Sequence, residues 1–367
     1  MPLNASGAIS LGGSTAGQSI ALELARLATA QISINCSAVR TLAGVASGAI
    51  SFSNFYGKSN GPTVGIFYAG SRCASKIRTT TATRINACGA LVGTESTIAC
   101  GIARNSAGGS SICNVGMYWG GSSGSGVGTN TALRINKCGS RVGSVTTPTS
   151  LDAASTQDVT GSRAGSVATY ASCGGAAVGI RIIRLNACQA LLSQGSVSVC
   201  GGNRTDIAGS NTPVGNNAMF HGGGDPGCCG AYCSYSNVVR INPCGTKVGT
   251  TPAIGTARWC HTGAVVGVNA LFYGGTSVPC CNSGLTLVTR INACAALVGS
   301  QTNAGSNGRI DIGGALVGVN GLFFGGLQGL FNSAPVNRVT RINACGALVG
   351  TETTAGTGRM SVASASA

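Results

Sequence analysis

The chain is poor in the residues from which active sites are usually built. Its 367 residues contain 8 Asp and Glu and 2 His, and 8% of all residues are charged. The acids are Glu23, Glu95, Asp152, Asp158, Asp206, Asp225, Asp311 and Glu352, all singletons along the sequence. Glycoside hydrolysis needs two placed carboxylates, and no two of these form a local pair. Neither a phosphate-cradling Gly-x-x-x-x-Gly-Lys loop nor a nucleophile elbow is present. The two histidines, His221 and His261, fall in different parts of the chain. No apolar run reaches the roughly 18 residues of a membrane-crossing helix. Residues 1–30 lack the basic start and apolar stretch of an export signal. These absences point away from an enzyme and from a cofactor, and toward binding or structure.

What the chain has in excess is glycine, cysteine and positive charge: 60 Gly, 18 Cys, and a formal charge of +15. With 43% hydrophobic residues it can bury a core, and glycines among short apolar runs indicate many turns. A basic excess attracts polyanions such as nucleic acid, lipopolysaccharide or acidic glycans. Here the basic residues are dispersed rather than blocked, which reads as structural and surface charge more than as a nucleic-acid face. Many cysteines without an export signal fit a protein made in a cytosol that works outside the cell.

Internal repetition decides the fold class. An anchor motif recurs six times: Arg84-Ile-Asn-Ala-Cys88, Arg134-Ile-Asn-Lys-Cys138, Arg184-Leu-Asn-Ala-Cys188, Arg240-Ile-Asn-Pro-Cys244, Arg290-Ile-Asn-Ala-Cys294 and Arg341-Ile-Asn-Ala-Cys345. Its arginines are 50, 50, 56, 50 and 51 residues apart. An apolar-aromatic run ending in small residues precedes five of them, as in Leu271-Phe-Tyr-Gly-Gly275 and Leu322-Phe-Phe-Gly-Gly326, and is degenerate around Tyr170. It reads as a buried strand followed by a sharp reversal. The anchor reads as a hairpin: Val-Thr-Arg-Ile is one strand and Leu-Val-Gly-Thr the next. Between them Asn-Ala-Cys-Gly suits a type I turn closed by a left-handed residue. Pro243 fits the second turn position, whereas Gln189 and Ala295 replace the glycine and predict strain. With a further strand such as Arg309–Gly313, each repeat supplies four strands.

Four strands per repeat, six times, describe a mainly β chain: a six-bladed β-propeller over residues 61–367. The C-terminal segment 359–367 aligns with the strand near Arg309, so it is expected to complete the first blade and close the ring. The period and double glycine resemble the kelch repeat, although the Arg-Ile-Asn-x-Cys hairpin departs from that family's consensus.

Residues 1–60 lie outside the repeat and read as a small α+β module. A short strand is expected in Asn4–Gly13, a helix over Ser37–Gly44, and either helix or strand over Ser19–Leu27. Leu11-Gly-Gly13, Val39-Arg-Thr-Leu-Ala-Gly44, Ser47-Gly-Ala-Ile50 and Phe55-Tyr-Gly-Lys58 resemble the N-terminal segment of tailed-phage structural proteins, tail fibres among them. That resemblance implies localisation in the virion, attachment through residues 1–60 to other tail or baseplate proteins, and a homo-oligomeric state there. The propeller would then display loops to a host surface glycan or lipopolysaccharide. The alternative is a decoration or connector protein of tail or head that touches no receptor.

The cysteines divide in two. Six anchor cysteines occupy equivalent positions too far apart for the ~5.5 Å Cα separation of a disulfide, so free, half-buried thiols are expected there. Disulfides, if formed, are expected among the loop cysteines Cys73, Cys100, Cys173, Cys200, Cys228, Cys229, Cys233, Cys260, Cys280 and Cys281. Zinc at Cys228, Cys229 and Cys233 with His221 lacks the usual paired Cys-x-x-Cys knuckles, so no metal is assigned. A second arginine set, Arg104, Arg163, Arg204, Arg258, Arg309 and Arg359, falls near the start of each innermost strand. Each arginine either caps backbone carbonyls of the next blade or joins a ring that binds an anionic group at one channel mouth. Arg258, Arg309 and Arg359 are the candidates for such a ring.

Overall fold

The computed structural model describes residues 3–15, 18–24, 29, 31–45, 47–56, 58, 62–72, 77–98, 103–112, 114–123, 128–148, 158–173, 180–197, 205–225, 233–277, 284–328 and 334–367. The chain divides into two compact units, Met1–Thr63 and Val64–Ala367.

The first unit has helices at Ile20–Glu23 and Ser37–Ala43 and a 3-10 turn at Phe52–Phe55. Leu3, Ile20, Val39, Leu42, Ala43 and Phe55 form its core. The expected strand in Asn4–Gly13 is not formed: one parallel bridge, Ser10 to Ser19, is all that is seen among the described residues. A ladder cannot extend there because the helix starts at Ile20, immediately after the bridging residue.

The second unit is a six-bladed β-propeller. Blade 1 pairs Ala363–Ser366, Val64–Tyr68, Thr81–Asn86 and Ser96–Thr97, from the axis outward. Blade 2 has Gly108–Ile112, Val115–Trp119 and Ala132–Asn136. Blade 3 has Thr160–Ala164, Val167–Cys173, Ile180–Leu185 and Leu191–Val197, and blade 4 has Ala208–Gly209, Ala218–His221 and Val238–Ile241. Blade 5 comprises Trp259–Val266, Asn269–Thr276, Leu287–Ile291 and Thr302–Asn303, and blade 6 comprises Gly313–Val317, Asn320–Phe324, Arg338–Ile342 and Thr353–Thr354. All these pairings are antiparallel. The C-terminal strand closes the ring as expected, with Gly65 opposite Ser366 and Tyr68 opposite Ala363.

Among the described residues, two blades show three strands rather than four. In blades 2 and 4 the outer edge is reduced to single bridges, Ala132 to Thr146 and Asn237 to Ala253. Pro148 and Pro252 flank these bridges, and proline has no N–H to extend a ladder.

The anchor turn forms as its residues require. Asn86 O accepts from Gly89 N at 2.9 Å, closing the turn. Asn86 Oδ1 also accepts from the N–H groups of Cys88 and Ala90, both at 3.0 Å. The same pair of bonds recurs at Asn136, Asn186, Asn242, Asn292 and Asn343. One side-chain carbonyl thus satisfies two backbone donors, which explains the asparagine in every copy. Gln189 and Ala295 do take the left-handed conformation, with φ of 69° and 60°. The strand expected over Leu-Val-Gly-Thr is broken. In blade 6, Leu348 bridges Ile342, Gly350 turns left-handed, and pairing resumes at Thr353. A Cβ on Gly350 would lie 3.0 Å from Arg341 Nη2, so the chain detours over the guanidinium. Blade 3 has Ser193 in place of that glycine, and there the outer strand runs through as Leu191–Val197 with one register shift.

Side chains from adjacent blades interleave to make the core. Tyr273 and Phe323 of blades 5 and 6 pack with ring centroids 5.0 Å apart. Tyr118 of blade 2 donates to Ile66 O of blade 1 at 2.9 Å, and Tyr170 of blade 3 to Met117 O at 3.0 Å. Each buried aromatic contributes roughly 1.5–3 kcal/mol, and its hydroxyl also fixes blade-to-blade spacing.

Candidate functional site at the channel mouth

The axis of the propeller is closed where the innermost strands come into contact. The equivalent axial residues are Gly109, Gly161, Gly209, Gly263, Gly314 and Ser364. A Cβ on Gly109 would lie 2.0 Å from Ser364 O, and one on Gly161 would lie 2.2 Å from Gly109 O. Only glycine lets backbones approach this closely. Blade 4 ends its innermost strand early, at Gly209, and the chain then delivers Asn211 to the axis. Asn211 Nδ2 donates to Gly263 O at 3.1 Å, to Ser364 Oγ at 3.0 Å and to Gly314 O. Three blades are tied by one amide, and the channel becomes a blind cup with Asn211 in its floor.

The cup has a volume of ≈ 80 Å³. Its rim takes one residue from each blade, three positions before the axial residue: Ser106, Asp158, Asp206, Cys260, Asp311 and Ser361. All six are left-handed, with φ between 46° and 57°. Backbone bonds run around the rim, from Ser106 N to Ser361 O (3.1 Å), Ser361 N to Asp311 O (2.8 Å) and Asp311 N to Cys260 O (2.9 Å).

Three of the chain's eight acids therefore meet in one cup. Burial, joined by the charges of Asp158 and Asp311, pushes the Asp206 carboxyl well above the usual carboxylate range. Burial also raises Asp158, against a lowering hydrogen bond from Ser106. The Cys260 thiol is pushed well up by burial and by the charges of Asp206 and Asp311. Asp206, Cys260 and Asp311 present one ligand atom each, all within 4.8 Å of one another.

The two histidines also meet, across the boundary between blades 4 and 5. His221 is fully buried at the end of its strand, as a packed strand-end histidine should be, and stacks on Phe272 with centroids 4.9 Å apart. His221 Nδ1 lies 2.8 Å from His261 Nε2, and His221 Nε2 lies 3.0 Å from Ile254 O. Burial, with Arg258 and His221 adding repulsion, holds His261 well below the usual histidine range, so its ring is neutral. A carbonyl only accepts, so His221 carries its proton on Nε2. The contact between His221 Nδ1 and His261 Nε2 engages one nitrogen of the His261 ring and leaves Nδ1 as the other. That atom has no hydrogen-bond partner, and His261 is 6% exposed and lines the cup.

The candidate arginines are placed next to the rim and turned away from solvent. Arg258, Arg309 and Arg359 are each 0% exposed. Arg309 Nη1 donates to Gly325 O and Arg338 O, both at 2.8 Å, and its Nη2 to Phe323 O (3.5 Å) and Thr340 Oγ1. Arg258 makes the equivalent bonds to Gly274 O, Leu287 O, Phe272 O and Thr289 Oγ1. Arg359 does the same with Ala69, Thr81, Phe67 and Thr83. Each ties the ends of the second and third strands of its own blade, and a solute has no exposed guanidinium face to meet. Burial lowers Arg258 to about 9 and Arg359 to about 10. Arg104 is buried in the same role in blade 2, with bonds to Gly120 O and Thr131 O. Arg163 lies within the innermost strand of blade 3, out of phase with this set, and Arg204 lies outside the described residues. The anchor arginines cap the next blade: Arg134 Nη1 donates to Ala187 O and Arg240 Nη1 to Ala293 O, both at 2.9 Å.

Among the disulfide candidates, Cys233 and Cys260 are free thiols. Cys173 ends a strand, while Cys73, Cys100, Cys200, Cys228, Cys229, Cys280 and Cys281 lie outside the described residues. The six anchor cysteines are free, as expected, but exposed rather than half-buried. It is the preceding alanine that turns inward: Ala87, Ala187 and Ala293 pack on core clusters.

The rim was hidden from sequence reasoning because its six side chains differ. The available signal was position: Ser106, Asp206, Cys260, Asp311 and Ser361 each stand two residues after an arginine of the second set. No protein-family model matches the chain, and no curated protein matches it significantly.

Proposed function

We propose that the chain is a virion protein that binds rather than catalyses, attached through residues 1–60 and presenting the cup-bearing face of its propeller to a host surface. One observation carries the display part: the two ends of the strands are built differently. At the end away from the cup, the innermost and second strands of blades 3, 5 and 6 are joined by tight hairpins at 165–166, 267–268 and 318–319, and the anchor turns repeat six times. Between the cup-side ends of the second and third strands, the intervening sequence runs from six residues in blade 3 to sixteen in blade 4. A rigid scaffold with variable connections on one face is how binding surfaces are diversified without disturbing a core. The virion assignment rests on the resemblance of residues 1–60, and the kelch-like character of the repeat on its period and double glycine. A host glycan or lipopolysaccharide is the partner of choice for the variable face.

Antibodies raised against the purified full chain test both parts. Immunogold labelling of assembled particles together with blocked adsorption is the expected result. Labelling without blocking would make the chain a decoration or connector protein, and absence of label from particles would sink the virion reading.

A further inference from the structure

We propose that the axial cup is a divalent-cation site in which Asp206, Cys260 and Asp311, from three successive blades, are the ligands. The inference is independent of whether the chain displays itself to a host.

Three observations lead there. The ligand atoms already lie within 4.8 Å of one another. Around a tetrahedral zinc ion, at about 2.0–2.3 Å from each ligand, donor atoms stand roughly 3.3–3.8 Å apart, so closure requires side-chain movements of about 1 Å. The rim backbone that carries them is cross-bonded, with Asp311 N held by Cys260 O.

The second observation is His261 Nδ1, a buried ring nitrogen that has no hydrogen-bond partner in a residue lining the cup. It is set by a different chain of contacts, running from Ile254 O through His221, and owes nothing to the carboxylates. A buried polar atom without a partner costs about 1–3 kcal/mol. A water bound to a cation in the cup is a partner for such an atom. Carboxylates and thiol offer electron pairs to the same small space, and no lysine or arginine lines it. A cation bridges carboxylates and thiol together, in place of the hydrogen bonds that Cys260 makes with Asp206 and Asp311.

The third observation is conformational selection by the fold. Eleven non-glycine residues have a left-handed φ among those described, and six of them are the rim. In a chain with 60 glycines, glycine would be the easier solution at each of these positions. The rim keeps side chains at a cost of roughly 1–2 kcal/mol per residue.

The donor set selects the ion. Calcium takes six to eight oxygens and magnesium an octahedron of oxygens, whereas a thiolate with carboxylates suits zinc and its neighbours. Binding expels to solvent the Cys260 proton and the proton that the raised Asp206 carboxyl holds, the thiolate and carboxylates then bond the metal, and no oxidation is involved. Three protein ligands leave a fourth position open to water or to a group from outside.

The full chain, stripped with a chelator under reducing conditions, is titrated with Zn²⁺ while its melting temperature is followed, and with Co²⁺ while the thiolate-to-metal absorption band is read. The wild type is expected to gain melting temperature with one tight equivalent and to show the band. Asp311→Asn and Asp206→Asn keep all 18 cysteines, so binding elsewhere survives in them. Both are expected to lose the melting gain and to bind at least tenfold more weakly, and Cys260→Ser to lose the cobalt band. Equal gains in wild type and both variants would place the metal on other cysteines and overturn the proposal. No gain in any of them would mean that protons alone occupy the cup, and would overturn it as well.

Discussion

The anchor turns at the outer edge of the blades and the rim of the cup are both sixfold, but they repeat different things. At the anchor turns the side chains recur with the backbone: Asn at the first turn position in every copy, Cys at the third. At the rim the backbone recurs, with φ of 51°, 46°, 52°, 54°, 57° and 52°, while the side chains are Ser, Asp, Asp, Cys, Asp and Ser. Recurrence of both is what a structural task produces. Asn86 Oδ1 must accept from two N–H groups, and any copy lacking it would leave them unpaired. Recurrence of the backbone alone means that packing sets the conformation and something else chooses the side chain. Charge is distributed accordingly: a chain of net charge +15 holds three carboxylates in one cup.

The most drastic way to break the contrast is to open the ring. Deleting residues 359–367 removes the innermost strand of blade 1, the Arg359 bonds to Ala69, Thr81, Phe67 and Thr83, and one sixth of the rim. The exposed edges of blade 1 and its neighbours have no substitute partner. The expected loss approaches the whole stability of a domain, about 5–15 kcal/mol. Circular dichroism on heating should show no cooperative transition like that of the full chain, and an unchanged melt would refute closure through this strand.

This closure was legible in the sequence, because it follows from counting strands from a motif that occurs six times. The anchor turn was legible too, since Asn, Gly and Pro243 obey local rules that act within four residues. The rim was not. Its members stand some 50 residues apart, and a left-handed conformation at Ser or Cys leaves no mark in composition. Blade 3 compounded this: Arg163 was the nearest arginine to the expected position, yet it sits five residues past the rim residue Asp158, inside the strand. The buried arginines were legible as carbonyl caps, but which blade they cap depends on packing. The anchor set reaches the next blade, and the second set reaches its own.

A subtler comparison lies within the second set. Behind Arg309 and Thr340 stands Glu352, and behind Arg359 and Thr83 stands Glu95. Blade 5 has Gln301 there, donating to Thr289 Oγ1 at 2.6 Å. Burial alone would raise Glu352, but hydrogen bonds from Thr340 and Ser306 and the charge of Arg309 outweigh it and leave the carboxyl below its usual range. Glu95 is lowered in the same way by Thr357, Thr83 and Arg359. A carboxylate with a depressed folded pKa contributes stability above the unfolded-state pKa and loses it as pH falls through the folded one. The full chain should therefore weaken on acidification below the ordinary glutamate range. Glu95→Gln with Glu352→Gln should copy blade 5, cost about 1–2 kcal/mol at neutral pH and flatten that part of the acid limb. Urea midpoints measured across pH read both effects, and an acid limb of unchanged slope in the double variant would remove these two residues from the account.

The smallest expected effect separates strain from chemistry at the rim. Ser361 is a rim residue but not one of the three cup ligands. Ser361→Gly relieves a left-handed residue, worth roughly 1–2 kcal/mol, and adds unfolded-chain entropy that takes back up to about 1 kcal/mol. A net gain of about 0.5–1 kcal/mol is expected, with zinc affinity retained. Asp311→Gly relieves the same strain and removes a repelling charge but gives up the hydrogen bond with Cys260, so the metal-free chain should gain no more than Ser361→Gly gives it, and zinc should be lost. If both variants gained stability and both kept zinc, the side chains of the rim would be incidental to the metal. If neither gained, the left-handed backbone would not be strained there, and the contrast between turn and rim would lose its energetic basis.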